Sequence, residues 1–220
     1  MFNDLKNIIK QPDAVEKLLS FCDEDYYGGD ACNDIGNNIQ DIVNIFKNVD
    51  LNDTGQLIDI FKNNKKYDWL AAYFIGLKKD PEAVDVLSNS LDYNYSEDGA
   101  ANYLNMTICF ALGKTGSKEA VAPLIKALED ISYDFRWIAA WALGEIGDKS
   151  SVDPLLKALY DDMYDMYWTA GGALSEGFDS DMCVLGMFLD WLSEKYIMPE
   201  PVTPIIGALK RLGYDDFEEA

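Results

Sequence analysis

At 220 residues the chain is long enough for one or two globular domains or one short repeat array. Its 39 acidic side chains against 18 basic ones give a formal charge of -21. That field disfavours nucleic-acid phosphates and anionic membranes, and favours a basic protein partner or bound divalent cations. Histidine is absent, which removes the commonest general base and metal ligand, together with any Ser-His or Cys-His dyad.

The opening MFNDLKNIIKQPDA lacks the charged start and long apolar core of a signal peptide. No stretch has the roughly 18 consecutive apolar residues of a membrane span, so a cytoplasmic, reducing compartment is expected. Cys22, Cys32, Cys109 and Cys183 form no C-x-x-C pair. Cys109 lies in an apolar helical run and reads as a small buried hydrophobe. A Cys22–Cys32 disulfide is conceivable, but the spacing does not demand it.

The next segment, CDEDYYGGDACND, places Asp23, Asp25, Gly28 and Asp34 at positions 1, 3, 6 and 12 of a calcium-loop count. Tyr27 falls at position 5, and the twelfth residue is Asp where Glu is expected. An acidic insertion is the simpler reading. DLNDTGQLIDIF fails the same count, since its last residue is Phe61.

From Tyr67 a small-residue helix recurs: YDWLAAYFIG, then MTICFALG from Met106, YDFRWIAAWALGEIGD from Tyr133 and WTAGGALS from Trp168. Gly113, Gly144 and Ser175 follow at steps of 31, and Gly76 precedes Gly113 by 37, the extra six falling in LDYNYSEDG. After each link comes a second helix: PEAVDVLSNSLD, KEAVAPLIKALED and KSSVDPLLKALYD. Val121, Leu124, Ile125 and Leu128 keep helical spacing, as do Val152, Leu155, Leu156 and Leu159. Self-similarity at this period indicates a stacked solenoid, because one helical hairpin cannot bury both its faces. Ala139, Ala140 and Ala142 are expected to let first helices lie close, with Trp137 and Trp141 filling wider gaps. Gly144 and Gly147 are expected to end the helix.

AAWALGEIGDKSSVDPLLKALYD resembles the short HEAT-like repeat of phycobilin lyase subunits and many prokaryotic proteins. The resemblance is best over 106–161 and clear over 67–177. It implies an all-α fold, a right-handed α-α superhelix of about six helical hairpins plus a C-terminal capping helix, as one domain over 1–220. Residues 1–66 and 178–220 would be degenerate capping repeats. NDLKNIIKQPDAVEKLL parallels YFIGLKKDPEAVDVL, so the chain is expected to begin inside a first unit, and PVTPIIGALKRLGY is expected to supply the cap. Of the arginine that opens the family's first helix, only Arg136 remains; Asn105 and Tyr167 occupy the equivalent places.

Two surfaces are candidates for partner binding. Tyr67-Asp68-Trp69, Tyr133-Asp134-Phe135 and Tyr164-Asp165-Met166 open three units, and their aspartates read first as N-caps, with a staple from Tyr133 to Ile138. Together with the acidic, aromatic loops DYNYSED and YDDMYDMYW they also form a candidate rim for an Arg- or Lys-rich partner. Tyr133, Asp134, Asp161, Asp162, Tyr164 and Asp165 are its named residues. The second surface is the solvent side of the second helices, which the resemblance places on the concave face, with Asn89, Lys126, Lys157 and Asp59 in equivalent positions.

No cofactor and no catalytic or metal site is expected. The leading expectation is a non-catalytic protein-protein interaction scaffold with an acidic, aromatic-rimmed concave surface. The resemblance alone offers a phycobilin lyase-like subunit or chaperone-like factor as an alternative, and the acidity offers a nucleic-acid mimic. HEAT-like hydroxylases need His-Glu iron ligands that the chain lacks, and HEAT-like DNA glycosylases need a basic groove.

Overall fold

The computed structural model describes residues 5–19, 29–93, 99–129, 133–158 and 208–213, and among these every regular element is helical. In chain order they are α1 (Leu5–Ile9), α2 (Ala14–Leu19), α3 (Gly29–Phe46), α4 (Thr54–Asn63), α5 (Asp68–Lys78), α6 (Val84–Ser88), α7 (Gly99–Thr115), α8 (Val121–Leu128), α9 (Tyr133–Ile146) and α10 (residues 152–158). Short 3-10 turns at Pro81–Ala83, Lys118–Ala120 and Lys149–Ser151 lead into α6, α8 and α10. No described helix is long and apolar enough to cross a membrane.

The packing is that of an α-α solenoid. First helices α5, α7 and α9 lie side by side. Each second helix leans on the first helix of the following unit: α2 on α3, α4 on α5, α6 on α7 and α8 on α9. One buried apolar cluster runs from Ile9 to Leu209, and Ala139, Ala140, Ala142 and Cys109 are fully enclosed in it. Its rings form a ladder across the stack. Phe46 meets Phe74 edge-on at 5.4 Å, Tyr73 stacks on Phe110 at 5.5 Å, and Phe110 stacks on Trp141 at 5.4 Å. Such pairs add about 0.5–1.5 kcal/mol each beyond the area they bury. The side chain of Trp137 lies outside the described residues.

The repeated glycines divide into two roles. Gly76, Gly113 and Gly144 are inside their helices, and a Cβ at each would stand 2.7, 2.8 and 2.7 Å from the Cα of Ala111, Ala142 and Ala208. They permit close approach of neighbouring first helices, so the expectation that Gly144 ends α9 is corrected. Termination falls three residues later, where Gly116 (φ 67°), Gly147 (φ 71°), Gly213 (φ 75°) and even Lys79 (φ 59°) are left-handed. The Ala208 contact is itself a finding. The 31-residue step points to the helix of Ser175, a segment outside the described residues, as the neighbour of α9. Ala208 of the expected cap stands against Gly144 as Ala142 stands against Gly113.

A charge ladder follows the same register. Glu145 pairs with the ammonium of Lys114 at 3.7 Å and the guanidinium of Arg211 at 4.0 Å, so three positions along the stack alternate in sign. Lys114 also lies over the rings of Phe110 and Trp141.

Two further expectations change. Gly29–Phe46 is helical, so Asp30 and Asp34 of the stretch read as an acidic insertion sit on α3, and the second half of the calcium-loop count is not a loop. The Cys22–Cys32 pairing lies outside the described side chains. Asp68 is not an N-cap: α5 begins at Asp68 itself, and its carboxylate accepts the N–H of Trp69 at 2.9 Å. Likewise α9 begins at Tyr133, one residue before Asp134, and the Tyr133–Ile138 staple lies outside the described side chains.

Candidate interaction surface

The capping aspartates belong to the second helices. Asp80 accepts the N–H of Glu82 at 3.0 Å, and Asp148 accepts that of Ser150 at 3.0 Å. Each also reaches the unit before it. Asp80 receives the Thr54 hydroxyl at 2.5 Å at the start of α4, and Asp148 receives Lys118 at 3.1 Å at the start of the α8 turn. Thr54 and Lys78 draw the Asp80 pKa down to about 2; the Ser150 donors and Lys118 bring Asp148 to about 2. Asp68 goes the other way: burial pushes its pKa up, against the opposing pull of the Trp69 N–H and Lys65.

The segment after α6 is where chemistry suited to recognition gathers. Asn105 of α7, only 6% exposed, donates from Nδ2 to the Asp92 carbonyl at 2.7 Å and accepts the Asp92 N–H at 3.0 Å. The next residue, Tyr93, is half-buried and donates its hydroxyl to the Pro123 carbonyl at 3.3 Å. The exposed Lys126 places its ammonium 3.7 Å from the centroid of that ring. One unit on, the equivalent Lys157 reaches back to Glu129 at 3.5 Å, just past α8. Thus Lys126 and Lys157, singled out from the sequence, both contact the stretch that follows the preceding second helix. Asn89 and Asp59 are exposed. Asn89 stands at the C-terminus of α6.

Tyr133 and Asp134 open α9, with side chains outside those described, and Asp161, Asp162, Tyr164 and Asp165 lie outside the described residues. The second helices present Asp85, Glu129 and Asp153 beside Lys62, Lys126 and Lys157, a mixed face. Sequence reasoning put Tyr93 in the DYNYSED rim without its contact to Lys126, and it missed the role of Asn105; the signal was present, since Asn105 departs from the arginine of the repeat just where the chain gains six residues.

A separate open cleft of about 830 Å³ lies between α1–α2 and the end of α3. Ile9, Val15 and Val43 line it together with Lys10, Lys47 and Glu16. Lys10 is occupied there, donating to the Phe46 and Lys47 carbonyls at 3.0 and 2.9 Å and closing the C-terminus of α3. No cluster of metal-ligating side chains occurs among the described residues.

Residues 97–174 match the family model for HEAT repeats, the stretch that includes α7 to α10. That stretch carries HEAT repeats. The same packing geometry continues ahead of the match, because Gly76 packs on Ala111, Lys79 is left-handed and Asp80 caps the turn into α6 in the same register. No curated protein matches the chain. HEAT repeats generally mediate protein–protein interaction and are typically non-catalytic.

Proposed function

We propose that the chain is a non-catalytic scaffold that binds a protein or peptide carrying a basic patch, through an acidic, aromatic-rimmed surface. The distribution of charge carries this reading. Between Lys17 and Lys47 the sequence carries six acidic side chains and no basic one, and between Lys79 and Lys114 another six and none. Between Lys157 and Lys210 nine acidic side chains stand with Lys195 alone. A charge serving solubility alone has no need to cluster; here the acids cluster along the sequence. Aromatic residues share those stretches, at Tyr26, Tyr95, Tyr160 and Tyr164. Rings beside carboxylates suit guanidinium and ammonium groups. Tyr133, Asp134, Asp161, Asp162, Tyr164 and Asp165 belong to the proposed surface, and Asn89, Lys126 and Lys157 border it.

The test is fluorescence anisotropy of a labelled arginine-rich peptide against the full chain at two salt concentrations. Binding that weakens with salt, and weakens again when Asp161, Asp162 and Asp165 become Asn, is the expected result. Absence of binding at low salt, or binding indifferent to the three substitutions, overturns the reading.

A further inference from the structure

We propose that Lys126 is an internal competitor: it occupies in cis, on Tyr93, the seat that an arginine of the basic partner takes, and thereby sets the affinity of this surface. The inference rests on the function proposed above and adds its regulation.

The seat is built before any partner arrives. Asn105 holds both backbone groups of Asp92, and the Tyr93 hydroxyl is fixed on the Pro123 carbonyl. The ring therefore has a set orientation toward α8, and ordering it costs a partner nothing. Burial raises the Tyr93 pKa, which keeps the phenol neutral in the physiological range. That ring already holds one cation, since the Lys126 ammonium sits 3.7 Å from its centroid.

The occupant is replaceable. Lys126 is exposed, so its ammonium exchanges a ring face for water with little penalty. A guanidinium is planar and less strongly hydrated than an ammonium, and stacks on the same face to greater advantage. The arrangement has a counterpart one unit on, where Lys157 occupies Glu129. Both lysines hold the same repeat position and both reach back one unit, so the internal cations recur at the spacing of the solenoid. A chain with so few basic residues places two of them against its own acidic and aromatic stretches.

The experiment measures the dissociation constant of the same labelled arginine-rich peptide for four full-length proteins: wild type, Lys126→Gln, Tyr93→Leu and Lys62→Gln. Lys62→Gln makes the same charge change at another exposed site. Emptying the seat should tighten binding about 2- to 5-fold, the range an exposed cation–ring contact corresponds to. Lys62→Gln should change it by less than that, and Tyr93→Leu should weaken it. Equal tightening by Lys126→Gln and Lys62→Gln, or weakening by Lys126→Gln, overturns the competitor while leaving the scaffold reading intact. Wild type that fails to bind at low salt overturns both. The Lys126 variant changes only an exposed side chain, so the comparison holds even where Tyr93→Leu loses fold.

Discussion

Ala142 sets its Cα so close to Gly113 that a Cβ at position 113 would stand 2.8 Å from it. Helix propensity alone would make Gly113→Ala stabilising by up to about 1 kcal/mol. The contact reverses that sign, because the obstacle is backbone and the two helices must separate. Urea denaturation should show a loss of about 2 kcal/mol or more. Gly116→Ala, in open space but at φ 67°, should lose only about 1 kcal/mol. A neutral Gly113→Ala would mean the helices are not in contact there.

Asn105 tells a similar story about a departure from the repeat pattern. Asn105→Ala removes two buried hydrogen bonds and should cost about 2 kcal/mol by urea denaturation. Asn105→Arg installs the residue favoured by the family, yet it should be no better. Arginine has no acceptor for the Asp92 N–H, and its length does not fit a site only 6% exposed. A stabilising Asn105→Arg would contradict the clamp.

Acid should weaken the links between units in a defined window. Asp80 and Asp148 titrate at about 2 in the folded chain, against about 3.9 for an ordinary aspartate. Their contribution is complete above that ordinary value and disappears as pH falls from about 4 toward 2. A pH series of thermal melts should therefore steepen in this interval, and Asp80→Asn with Asp148→Asn should flatten it. An unchanged acid limb in the double variant would remove these carboxylates from the account.

Asp68 should behave oppositely. Burial raises its pKa, so the fold opposes its charge, and the cost is present at neutral pH and relieved as pH falls. Asp68→Asn keeps an acceptor for the Trp69 N–H and gives up only the attraction of Lys65, whose side chain is 78% exposed. The melting temperature at pH 7 should rise, and the advantage should shrink in acid. A fall at pH 7 would show that the Lys65 pair outweighs burial.

The fold was legible in the chain because its cause is periodic. Small residues at Ala111, Ala142 and their neighbours must recur wherever one first helix meets the next, so packing writes itself into the spacing. What periodicity could not separate was the role of two glycines three residues apart. Gly144 and Gly147 both look like terminators, and only the neighbour at Ala208 distinguishes contact from turn. The capping aspartates were misplaced for a related reason. A Tyr-Asp pair ahead of an apolar run is a reasonable cap, but Asp80, Ser117 and Asp148, each four residues past the contact glycine, hold the caps' register. Lys126 and Lys157 were correctly placed on exposed faces. Their ring and carboxylate partners lie in the preceding unit, a relation set by stacking and invisible to spacing within one helix.

Native-state amide hydrogen exchange of Gly113→Ala tests most directly whether each unit is held folded by the next. The helices on both sides of the contact, α7 and α9, should lose protection together, by about tenfold or more. Loss confined to α7, with α9 protected as in the wild type, would contradict the stacking on which the whole account stands.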